Sequence, residues 1–169
     1  MKDSYKDLRV GLVGFGLDAY WEQFEGLEAR LLEYLSEVEG KIRSPSRTVL
    51  NLGLVDTQAK AVDAGHACRR EDIEILVIYV TTYALSSTVL PVILRANVPV
   101  LLLNLQPAQA IDYASFNRME DRTAMTGEWL AYCSSCPVPE IANVLKRLDI
   151  PFQQATGTLH NDPECWREV

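Results

Sequence analysis

The sequence predicts an α/β fold. It reads as a three-layer α/β/α sandwich on a mostly parallel five-stranded sheet, flavodoxin- or Rossmann-like, in strand order 2-1-3-4-5. Three observations carry this. Short apolar runs alternate with amphipathic stretches along all 169 residues. The segments joining the runs are too long for hairpins, as parallel strands require. The first apolar run ends in a glycine turn and feeds a helical stripe, the opening unit of a doubly wound sheet whose ligands sit beyond the strand carboxyl ends.

Leu8–Val13 is the first strand, and Gly14 and Gly16 make the turn. The following helix carries Trp21, Phe24, Leu27, Leu31, Leu35 and Val38 at three- and four-residue spacing, one apolar stripe. Gly40 is its expected C-cap, with Lys41 at the negative end. Thr48–Val55 is the second strand. Asp56 or Thr57 caps a helix over Gln58–Arg70, which faces the core through Ala61, Val62, Gly65 and Cys68. Ile73–Val80 is the third strand, apolar on both faces. A helix begins at Ser86 or Ser87, with Pro91 expected in its first turn. Val98–Leu103 is the fourth strand. Asn104–Asp121 is long for a connection and therefore marks function or local structure. Helices over Thr123–Ser134 and Pro137–Leu148 precede a fifth strand at Phe152–Ala155, and PECWRE opens a further helix.

The totals exclude several classes. Hydrophobic residues make up 48% and charged residues 23%, ordinary for a globular domain, and the formal net charge is −7. That sign disfavours nucleic acid and anionic membranes, so neither is expected as a partner. The longest apolar runs, Ile75–Val80 and Val98–Leu103, are strand-length. Met1–Asp7 has no apolar leader core, so a cytoplasmic location is expected. The four cysteines read as reduced thiols.

The candidate chemistry is sparse. Gly14, Gly16 and Ala19 match G-x-G-x-x-A, the phosphate cradle of dinucleotide folds. The match is weak: the acidic partner, Asp56, comes 40 residues after Gly16, and Asp18, Tyr20 and Trp21 do not suit a phosphate. Cys133 and Cys136 have C-x-x-C spacing but fall late in the chain, between two helices, and read as ordinary thiols. His66 reads as a half-buried structural residue and His160 lies in a polar stretch, so no Ser-His-Asp arrangement is built. Three strand ends are expected to converge: Leu17–Trp21, Thr81–Tyr83 and Asn104–Gln106. Tyr20, Thr81, Thr82, Tyr83, Asn104 and Gln106 would form a neutral hydrogen-bonding rim suited to a hydroxyl-rich ligand.

VGLVGFGLDAYW, LVIYVTTYALSSTVL, VPVLLLNLQP and DRTAMTGEWL together resemble, in order and spacing, the N-terminal domain of the arabinose isomerase and fucose isomerase family. The resemblance implies an aldose–ketose isomerase that is homo-oligomeric and uses Mn²⁺, with metal ligands in later regions. It implies a domain at 1–157 and the start of a following region at 158–169. This chain alone would then hold no catalytic, cofactor or metal residue. It would wall a neighbouring subunit's pocket for a neutral monosaccharide. The residues placed near that sugar are Leu17, Asp18, Tyr20, Tyr83, Arg122 and Met125. Arg122 and Met125 stand where the family has an amide and a histidine. A freestanding sugar-binding or oligomerisation module, or a nucleotide-binding enzyme, are the alternatives. Trp166 and the C-terminal segment are expected on an uncovered apolar surface.

Overall fold

The computed structural model describes residues 7–169; of the polar lead-in read at 1–7, residues 1–6 lie outside the description. Five parallel strands form one sheet in the order β2-β1-β3-β4-β5. They are β1 (Leu8–Phe15), β2 (Arg47–Val55), β3 (Ile75–Val80), β4 (Val100–Gln106) and β5 (Phe152–Thr158). The helices are α1 (Leu27–Ile42), α2 (Gln58–Arg70), α3 (Ser86–Ala96), α4 (Tyr113–Phe116), α5 (Arg122–Leu130), α6 (Val138–Arg147) and α7 (Pro163–Glu168). This is the predicted α/β sandwich and the predicted strand order. Among the described residues no helix is long and apolar enough to cross a membrane.

The two-residue period of the strands divides the core into two layers. On β3, Ile78 and Val80 meet the α2, α3 and α6 residues Ala61, Val89, Val92, Ile141 and Leu145. The alternate residues Val77 and Tyr79 join Leu35 and Val38 of α1 and Cys165 of α7 on the opposite face. β3 is covered on both faces, and its one polar side-chain group is the buried hydroxyl of Tyr79. Gly65 decides how closely α2 and α3 approach, since a Cβ there would stand 2.6 Å from the Cβ of Arg95.

Several boundaries differ from the sequence reading. Helix α1 begins at Leu27, because Gly26 at φ 79° takes the left-handed conformation before it. Trp21 and Phe24, read as part of its stripe, instead belong to the turn that leads into it. Gly40 lies within α1, which ends at Ile42 with Arg43 as its C-cap. Thr57, not Asp56, caps α2 by accepting from the Lys60 N–H. Ala64 takes the core place expected for Val62, which is half-buried. Pro91 sits inside α3 rather than in its first turn. It forfeits one backbone hydrogen bond, and burial of Val89, Val92 and Ile93 holds the helix regardless.

The C-terminal segment packs onto the sheet. Asp162 caps α7, accepting from the N–H groups of Thr158 and Cys165. Three backbone N–H groups (Cys165, Thr158 and Glu164) hold its carboxyl below the usual range. Trp166 is half-buried, not an exposed apolar residue: its indole N–H donates to the carbonyls of Thr158 and Leu159, and Lys41 stands 5.0 Å over the ring.

Candidate functional site: a cleft between the turn after β1 and α5

The segment after β1 runs back over the top of the sheet. Gly16 is required there by the indole of Trp21, which would lie 2.8 Å from a Cβ at that position. The Trp21 N–H donates to Asp56 Oδ2 at 2.8 Å, and Lys60 Nζ reaches the same oxygen at 2.7 Å. Asp56 is only 3% exposed. The glycine turn and the acidic residue at the end of β2 thus meet in space, as a dinucleotide site would need. The space over the turn, however, holds an aromatic side chain of the same chain. The glycine serves packing, and Asp56 holds an indole and an ammonium.

The predicted rim closes on itself in the same way. Thr81 donates its hydroxyl to the Phe15 carbonyl at 2.8 Å, and Thr82 donates to that of Leu130 at 2.8 Å; both threonines are fully buried. Asn104 Nδ2 lies 3.3 Å from the Thr156 hydroxyl. Tyr20 packs edge-on against Trp21 and Phe24. Burial raises the Tyr20 phenol first, and Cys133, Tyr83 and Cys136 nearby raise it further. The three strand ends do converge, but Thr81 ties its own to the end of β1 and Thr82 ties it to the last residue of α5 instead of facing a ligand.

Of the six residues placed near a sugar, Tyr20 and Tyr83 come together above the sheet. Leu17 is half-buried, and Asp18 is exposed, accepting from the Ala19 N–H. Arg122 is exposed in the first turn of α5, and Met125 is half-buried one turn on.

A cleft lies beside this interlock. It has a volume of about 670 Å³ and separates the Glu22–Leu27 turn from the first two turns of α5. Its floor is Phe24, Leu27 and Gly127, where a Cβ on Gly127 would come within 3.2 Å of Phe24. Its walls carry the carboxylates of Glu22, Glu25, Asp121 and Glu128 against a single cation, Arg30. That cation is already engaged: Nη1 donates to Glu128 at 2.6 Å and Nε to the Tyr34 hydroxyl at 2.7 Å. The guanidinium also lies 5.6 Å from the ring centroids of both Tyr34 and Tyr132. Burial alone would lower the Arg30 pKa, but the bonds to Glu128 and Tyr34 outweigh it and raise the value. Asp121 caps α5 through one oxygen, accepting from Thr123 and Ala124 N–H groups.

The signals for this cleft were weak in the sequence. Glu22 and Glu25 look like the solvated face of a helix until Gly26 breaks it. Met119 and Asp121 fall in the long connection, whose length alone marked it as structured. Neither histidine contributes here. His66 is exposed on α2, and His160 Nδ1 pairs with Glu37 beside Tyr34. Among the described residues no cluster of three or more histidine, cysteine or acidic side chains has the geometry to hold a metal ion.

No family model matches the chain. No curated protein matches it either. Solved structures similar to it include a GDSL-like lipase from Bacteroides thetaiotaomicron VPI-5482, at 15% identity and TM-score 0.36, over 89% of this chain and 69% of that one. Another is a candidate acylhydrolase from Bacteroides fragilis NCTC 9343, at 16% identity and TM-score 0.35, over 88% and 67%. These findings overturn the resemblance to the arabinose and fucose isomerase family, and the isomerase function drawn from it is withdrawn. The physical reason lies in the segments themselves. LVIYV and VPVLLL are the buried strands that any doubly wound parallel sheet needs. Their order therefore reports the architecture and not a family. At these identities and scores the likenesses to the lipase and the acylhydrolase transfer no activity to this chain.

Proposed function

We propose that this chain is a small-molecule-binding α/β domain whose cleft, between the turn after β1 and the start of α5, receives an organic amine. The supporting observation is the charge balance of the cleft: four carboxylates face one guanidinium that is already paired. Glu22, Glu25 and the free oxygen of Asp121 remain as acceptors for an ammonium. Phe24 and Leu27 offer an apolar floor to its carbon chain, and the Phe24 ring face can attract the cation. An anion would meet the same carboxylates and be repelled.

Calorimetry at low salt with 1,4-diaminobutane, a neutral pentose and a pentose phosphate tests the reading. Saturable binding of the diamine is expected, weakened by added salt. Asp121→Asn keeps the helix cap and removes the charge, so it should weaken binding by about tenfold. Tighter binding of the phosphate than of the diamine, or no diamine binding, would overturn it.

A further inference from the structure

The turn between α5 and α6 carries two sulfurs that the cleft does not use. Cys133–Ser135 forms one 3₁₀ turn, closed by the Cys136 N–H donating to the Cys133 carbonyl at 3.1 Å. Side chains three residues apart on such a turn eclipse one another, so both sulfurs leave the same side of the backbone. The Cys136 thiol is near enough to raise the pKa of Cys133. Their exposures are opposite: Cys133 is 3% exposed, whereas Cys136 is the exposed cysteine among the four. The turn is also held firmly. The Ser134 hydroxyl is buried and donates to the Leu105 carbonyl of β4 at 2.7 Å, and Pro137 follows at once. Cys68 and Cys165 are each buried in different layers of the core, with no second sulfur among the described residues of either layer.

We propose that Cys133-Ser-Ser-Cys136 is a redox-active dithiol that closes to an intramolecular disulfide by exchange with a small-molecule disulfide. The thiolate of Cys136, the sulfur a reagent can reach, attacks one sulfur of the reagent disulfide. The reagent S–S bond breaks and releases one thiol, leaving a mixed disulfide on Cys136. The Cys133 sulfur then attacks Cys136, and the second reagent thiol leaves. The protein loses two electrons and two protons, and the reagent gains both as two thiols. Burial, then the neighbouring Cys136, pushes the Cys133 thiol up, so Cys133 acts second. A 3₁₀ turn brings residues three apart within the Cα separation that a disulfide spans. The bond would close with Ser134 still anchored to β4. Cys133 would give up its contact with the Trp129 carbonyl, 3.6 Å away, which links the sulfur state to the last turn of α5.

The test equilibrates the folded full chain in glutathione buffers of graded ratio, then alkylates and maps the thiols by mass spectrometry. The expected product is a bridge between Cys133 and Cys136, two hydrogens lighter, forming in a single two-electron step while Cys68 and Cys165 stay alkylatable. Cys133→Ser should stop at one glutathione on Cys136, and Cys136→Ser should take up none under native conditions. The wild-type map stands even if the Cys133 variant fails to fold. A wild-type protein that accumulates only glutathionylated Cys136, or that bridges only in denaturant, would overturn the proposal.

Discussion

The sheet and the cap over its carboxyl ends are built by different means. In the sheet, β1, β3 and β4 are buried on both faces, and their stability comes from apolar area and a parallel hydrogen-bond ladder. Leu12, Ile78 and Leu102 show no exposed surface. In the cap, formed by the turn after β1 and the segment from Met119 to Pro137, a small apolar cluster around Leu27, Leu31, Leu130 and Cys133 is supplemented by single polar contacts. Trp21 holds Asp56, Thr82 holds Leu130, Ser134 holds Leu105, and Arg30 holds Glu128. Hydrophobic burial is non-directional and roughly proportional to area, so many sequences make the same sheet. A buried hydrogen bond depends on two particular groups, so the cap is specific to this chain.

That contrast predicts a graded set of effects. The largest belongs to the sheet. Leu12→Ala should cost about 2–5 kcal/mol in urea unfolding, with the slope unchanged, because it opens a cavity in a layer that cannot collapse. A loss below about 1 kcal/mol would mean that β1 is not an interior strand of a tight core.

The cap comes next. Trp21→Phe removes the donor to Asp56 together with the indole Cζ2 and Cη2 that stand over Gly16, leaving that buried carboxylate with Lys60 alone. A loss of about 1–3 kcal/mol is expected. Removing both partners, with Trp21→Phe and Asp56→Leu together, should cost less than the sum of the single changes. Strict additivity would show that the two side chains do not interact.

Thr82→Val is smaller still. It preserves shape and takes the hydroxyl from the Leu130 carbonyl, so about 1–2 kcal/mol should be lost. The loss should coincide with faster hydrogen exchange at the end of α5. Unchanged exchange there would separate the cap from β3.

The smallest effects lie on the exposed rim. Glu39 is held below the usual carboxylate range by hydrogen bonds from Arg43 and Asn51. A depressed folded pKa contributes stability above the ordinary carboxylate value and loses it as pH falls through the folded one. Melting temperature should therefore drop below about pH 4.5, and Glu39→Gln should flatten that drop slightly. Arg167→Ala, which removes a 3.8 Å contact with Glu164 and a 3.2 Å donation to the Pro163 carbonyl, both in solvent, should change stability by less than about 0.5 kcal/mol. A larger change would require a contact beyond that pair.

The strand order and the alternation of layers were legible because they rest on hydrophobic periodicity, a property of neighbouring residues. The same periodicity misled at Trp21 and Phe24. Both fit the stripe of α1 by spacing, yet Gly26 starts a new element and frees them for the cap. The cleft was less visible. Nothing local distinguishes Glu22 from Glu33, and only packing against α5 turns one into a wall and leaves the other in solvent. Tyr20 and Tyr83 were expected together, and they are, but the groups beside them are Cys133 and Cys136 from a segment 50 residues further on.

The sequence by itself determined the class of fold, the strand order and the run of buried strands, since these follow from where apolar residues recur along the chain. Only the tertiary structure decided the fate of the polar residues at the carboxyl ends. A hydroxyl or carboxylate in a loop can face a ligand, water or its own backbone. Which of these it meets depends on elements that arrive from distant parts of the chain. The glycine turn after β1 is the clearest case: its residues match a phosphate cradle, and the folded chain fills that cradle with its own Trp21.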